Sequence, residues 1–128
     1  MSVRDVLCIA CGGAVGAVAR HGVALICVSI FGPKFPWGTL VVNVVGCFLL
    51  GWLMQASLNS EAVSESFKLT VGTGFLGALT TFSTFGVQSV QTWQWSSVLG
   101  VANVLGNVVL GLVAAVAGMV LATRLSTS

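Results

Sequence analysis

Apolar positions fall in four long stretches along the chain, about residues 6–31, 38–58, 67–92 and 98–122, parted by short polar interruptions. A bilayer core about 30 Å thick needs about 20 apolar residues per helix. The pattern therefore predicts four transmembrane helices and leaves too little chain for an extramembrane domain. The first stretch is too long, too rich in glycine and too lacking in a small-residue cleavage site to be a removed signal peptide, so a retained helix is expected. It stops at Gly32-Pro33-Lys34-Phe35-Pro36, where two prolines bar further helix. Asn59-Ser60-Glu61-Ala62-Val63-Ser64-Glu65 reads as the strongly polar loop, and Trp93-Gln94-Trp95-Ser96 as the turn into the last span. In the third stretch, Gly72, Gly74 and Gly77 precede a hydroxyl and aromatic run from Thr80 to Phe85, a composition that predicts an interruption near residues 77–81.

Composition sharpens this picture. Hydrophobic residues make up 56% of the 128 positions and charged residues 6%, with a mean hydropathy of +1.04. A soluble domain carries about a quarter charged residues, and the few here cannot cover a water-facing surface, so lipid is the expected solvent. A net charge of +2 without clustered Lys or Arg excludes a nucleic-acid surface. Cys8, Cys11, Cys27 and Cys47 lie within apolar stretches and read as small packing residues rather than disulfides or metal ligands.

Four crossings put both chain ends on one side, together with Arg4, Lys68 and Arg124, against Lys34 on the other. Three positive residues against one orient the chain weakly. Two topologies stay open at this point: a fixed orientation, or insertion both ways with pairing as an antiparallel dimer. The spacings Gly12/Gly16, Gly13/Ala17, Ala102/Gly106 and Ala114/Gly118 permit close helix contact within or between subunits. Trp37 and Trp52 suit the headgroup levels.

Polar side chains inside a membrane need a partner, a wet cavity or a function. Thr39 and Asn43 share one helical face, as do Asn103 and Asn107, each pair being four residues apart. Such residues can simply bond helices together. Together with Thr80, Thr81, Ser83 and Thr84, interleaved with Phe82 and Phe85, they form a polar track through an otherwise dry bundle. An aromatic ring has a positive edge, so phenyl edges beside uncharged donors suit a small desolvated anion. No Asp or Glu lies inside a span, which disfavours a proton-driven exporter. Arg20 lies within the first span, where drawing anions to a vestibule and snorkelling to the interface are both open readings, and His21 beside it is ambiguous. A break near Gly77 would free carbonyls for a cation, a water or a neighbouring hydroxyl.

The segments GGAVGAVAR at 12–20, WGTLVVN at 37–43 and GFLGALTTFSTF at 74–85 resemble the Fluc, or CrcB, fluoride channels over essentially the whole chain. The resemblance implies an all-α membrane protein of four transmembrane helices with the third broken. It also implies an antiparallel dual-topology homodimer with two pores in the cell inner membrane, passive fluoride export, and a structural sodium ion at the dimer centre. Carried over by position, Phe82 and Phe85 are the pore rings, Asn43 donates to fluoride, and Ser83 and Thr84 are polar neighbours. Arg20 is the vestibule arginine, though His21 replaces the family's usual aromatic residue. The Gly77 and Thr80 carbonyls of both subunits hold the sodium. On the fourth helix the family has a hydroxyl or other polar residue where Asn103 and Asn107 stand here, amides that donate but also present oxygens. A small multidrug-type exporter and a non-transporting membrane scaffold are the rival readings.

Overall fold

Chain geometry follows directly from local caps and breakers. The computed structural model describes residues 1–59 and 63–127, so Ser60, Glu61 and Ala62 of the polar loop lie outside the described residues. Among the described residues the fold is wholly helical, with no strand.

Helix α1 (Val3–Phe31) starts before the apolar run because Ser2 and Asp5 form a reciprocal cap. The Asp5 amide donates to Ser2 Oγ at 3.2 Å and the Ser2 amide to the Asp5 carboxylate at 2.7 Å. It ends at Gly32, whose φ of 78° is open to glycine and strained for other residues. Helix α2 (Trp37–Asn59) follows, with Trp37 packed on the Phe31 and Phe35 rings at centroid distances of 5.4 and 4.7 Å. Asn59 and Glu65, expected in the polar loop, are helical; Ser64 caps the next helix by accepting the Phe67 amide at 3.3 Å.

Helix α3 (residues 65–79) widens to a π-helix over Lys68–Leu76 before a last short turn at Gly77–Leu79. Thr80 (φ −80°, ψ 156°) and Thr81 (φ −155°, ψ 120°) are extended, and helix α4 (Phe82–Trp95) begins with Thr81 as its cap. The turn expected over 93–96 shrinks to Ser96 alone. Trp93, Gln94 and Trp95 remain helical, and Ser96 both closes α4 through its amide to Thr92 and opens the next helix by accepting the Leu99 amide. Gly100 lets that next helix, α5 (Ser97–Ser126), fold tightly back, since a methyl group there would press on the Trp93 backbone at 2.8 Å. A π turn interrupts α5 at Gly106–Leu110.

Arg4 donates to Ser66, and Asn59 donates to Ser126 Oγ at 3.0 Å, so both chain ends meet at one end of the bundle. Helices α2 and α5 run parallel and almost backbone to backbone. A Cβ on Gly51 would strike the Ala115 carbonyl, and one on Gly118 the Phe48 carbonyl. Gly12 and Gly16 seat α1 on the Thr70 and Phe75 carbonyls of α3 in the same way. Val42, Leu53, Leu76 and Leu79 form a small core between them.

Three helices, Val3–Phe31, Trp37–Asn59 and Ser97–Ser126, are long and apolar enough to cross a membrane. Their large apolar side chains point mostly outward, Val18, Leu25, Ile26, Leu112 and Val113 among them. Such an inside-out surface matches a hydrocarbon surrounding rather than water.

Candidate functional site

The polar residues singled out in the sequence converge where α3 gives way to α4. An extended pair of residues between helices leaves backbone groups without intrahelical partners, and inside an apolar bundle these must be bonded by side chains. Asn43 on α2 does this: its Oδ1 accepts the Thr81 amide at 2.9 Å and its Nδ2 donates to the Thr81 carbonyl at 3.2 Å. The same Nδ2 donates to Asn107 Oδ1 on α5 at 2.8 Å, so both amide hydrogens of Asn43 are engaged.

From Asn107 the bonding continues along α5. Asn107 Nδ2 donates to both the carbonyl and Oδ1 of Asn103, each at 3.0 Å. Asn103, with 0% exposure, donates to Ser89 Oγ at 2.8 Å, and Ser89 donates to the Phe85 carbonyl at 2.7 Å. On the other side of the break, Thr81 Oγ1 accepts the Thr84 amide at 3.3 Å, donates to Thr84 Oγ1 at 3.0 Å and lies 3.4 Å from Ser83 Oγ. Thr39 Oγ1 donates to Gln88 Oε1 at 2.6 Å. Among the described residues every buried side-chain nitrogen and oxygen has a partner.

A groove of about 280 Å³ opens on this cluster, lined by Asn43, Thr80, Thr81, Phe82, Phe85 and Asn107 with apolar neighbours. Phe82 and Phe85 meet edge to face at 5.6 Å between centroids. Phe85 is 8% exposed while Phe82 is 84% exposed and reaches outward from the chain. Thr81 also lines a second cleft, of about 260 Å³, with Arg20, His21, Thr39, Thr84 and Gln88. Among the described residues no carboxylate borders it, so Arg20 gives it a positive character.

Thr39, Asn43, Ser83, Thr84, Phe82, Phe85, Asn103 and Asn107 are thus gathered around one break, and Arg20 approaches it through the second cleft. Gly77 lies apart, exposed, on the far side of Thr80. The amide that would close a helical turn onto its carbonyl, that of Thr81, is given to Asn43, and the Thr84 amide that would serve Thr80 goes to Thr81 Oγ1. Both carbonyls are thereby left without those helical donors. Thr81, expected only as one member of the polar track, is its hub, and two participants, Gln88 and Ser89, were not named from sequence. Their signal was helical spacing, since 81, 84, 85, 88 and 89 recur on one side of α4.

A family model described as "CrcB-like protein, Camphor Resistance (CrcB)" matches residues 7–119. A protein of Dehalococcoides mccartyi named "Fluoride-specific ion channel FluC" is 43% identical over 122 residues, covering 94% of each chain. Proteins of the same name from Vibrio parahaemolyticus and Vibrio cholerae are 47% identical over 117 residues and 51% identical over 108 residues. These cover 91% and 84% of this chain and 92% and 86% of their own lengths, respectively.

Proposed function

The chain belongs to the CrcB-like family, and from that premise we propose that it is a fluoride-selective membrane channel through which fluoride leaves the cell down its electrochemical gradient. The observation that carries this reading is the pairing of an edge-to-face phenyl pair with uncharged hydrogen-bonding groups in one groove. Permeation needs no covalent step; the protein is a conductor, not an enzyme. The ion sheds water and takes hydrogen bonds from hydroxyls, amides and ring edges instead. Thr80 and Thr81 bring hydroxyls to the groove itself, and Ser83 and Thr84 stand behind them beside Thr81. Donation from Asn43 requires it to exchange its bond to Asn107 for one to the ion, because neither hydrogen is spare. Arg20 supplies the field that concentrates anions at the entrance.

In this reading α3 and α4 are two halves of one membrane crossing, which makes four, in the cell inner membrane. The functional unit is an antiparallel homodimer. The outward reach of Phe82 supports a second copy, since a pore ring that exposed would otherwise face lipid. The Gly77 and Thr80 carbonyls suit a hard cation such as sodium, being oxygen donors whose usual amide partners are diverted. Bound there, sodium would supply a fixed positive charge bracing the two copies.

Purified protein reconstituted into liposomes loaded with fluoride tests the function: a fluoride electrode should record rapid release once the membrane potential is collapsed. Release no faster than from empty liposomes would refute it. Exchanging sodium for a large organic cation should lower dimer stability; an unaltered dimer would remove the ion from this account.

A further inference from the structure

The amides of α5 do more than line a path. Their bonds run in one sense, Asn43 to Asn107, Asn107 to Asn103, Asn103 to Ser89 and Ser89 to Phe85. An amide side chain can turn end for end, so such a chain has no inherent direction. Here both ends are backbone groups with fixed roles: the Thr81 amide can only donate to Asn43, and the Phe85 carbonyl can only accept from Ser89. Turning any one amide would set donor against donor or oxygen against oxygen along the whole line. Thr81 and Phe85 also bracket the first turn of α4, which carries Phe82. The line therefore leaves α4 at its start, passes through α2 and α5, and returns to α4 at Ser89 to end on the Phe85 carbonyl, four residues beyond Thr81.

Resting on the channel reading above, we propose that Ser89 and Asn103 are positioning residues for anion selectivity. They touch no part of the groove. Through Asn107 they hold the oxygen of Asn43 toward Thr81 and its nitrogen toward Asn107, at the edge of the groove, and at Phe85 they hold the backbone from which that ring projects. A rigid opening of this kind discriminates by ion size; a slack one admits larger, less hydrogen-bond-demanding anions. Asn103 at 0% exposure has no water to replace a lost partner, so the constraint is strong.

Fluoride and chloride permeability, measured in the same proteoliposomes, reads this directly. Ser89→Ala should lower the fluoride-to-chloride ratio about tenfold, the factor that one hydrogen bond is worth, while the protein elutes from size exclusion as the wild type does. Ser89→Thr, which restores the hydroxyl, should keep the wild-type ratio. Should Ser89→Ala fail to fold because it strands the Asn103 amide, the double variant Ser89→Ala/Asn103→Leu removes both partners and must show the same loss. A wild-type ratio in whichever of these folds overturns the relay. Absence of fluoride flux in the wild type overturns instead the channel reading on which it rests.

Discussion

Helices α2 and α5 touch along their length, and two of their meetings differ in kind. At Gly51 and Gly118 the backbones close on each other until not even a methyl group fits. Eight residues earlier on α2, about 12 Å along the axis, they are joined instead by the Asn43–Asn107 bond, with the π turn Gly106–Leu110 bulging α5 beside it. The first contact is dry and has one solution, since rigid backbone cannot give way. The second is held by side chains that can exchange partners, and it opens onto a groove. In the proposed channel one helix pair would then serve as both seal and path, according to whether glycine or asparagine stands at the contact. Interior π turns of this kind are frequent at functional positions.

The largest effect should come from breaking the seal. Gly118→Leu sets a side chain against the Phe48 carbonyl and the Trp52 amide, overpacking that costs about 1–3 kcal/mol or more; no monodisperse protein should be recovered in detergent. A normal elution profile with wild-type flux would mean that the contact is looser than described.

Changes at the path should spare the fold and remove the function. Phe82→Ile or Phe85→Ile keeps apolar bulk but loses the positive ring edge, and fluoride efflux should fall about a hundredfold, near 2.7 kcal/mol at the barrier. Retained efflux in both would take the rings out of the mechanism. Asn43→Asp should cut efflux about tenfold or more at neutral pH, since a fixed negative charge repels the ion and a carboxylate cannot donate to Asn107. Undiminished efflux would move the path away from α2.

Lys68→Ala lies at the small end. Its ion pair with Glu65, 3.5 Å long, is solvent-facing, so stability should change by less than about 1 kcal/mol and efflux not at all. A large loss at this position would show that the polar end of the bundle governs conduction.

Much of this contrast was legible in the chain. Residue spacing alone put Thr39 with Asn43 and Asn103 with Asn107 on shared faces, and the Thr80–Phe85 run stood out in an apolar setting. The partners were not legible. That Asn43 clasps Thr81, or that Asn103 reaches Ser89, depends on how α2, α4 and α5 are rotated against each other, which periodicity within one helix does not specify. Gln88 and Ser89 read as ordinary polar residues until Thr39 and Asn103 are seen to bond them. The turn expected at 93–96 failed for a related reason. Ser96 caps both flanking helices by itself and Gly100 allows the sharp return, so Trp93, Gln94 and Trp95 stay helical.

The central claim is that bonded neutral groups and ring edges replace the water around a small anion and do so poorly for a large one. Liposomes carrying the wild-type protein and loaded with equal fluoride and chloride test it most directly. Fluoride should escape while chloride stays inside. Joint escape at similar rates, or joint retention, would contradict it.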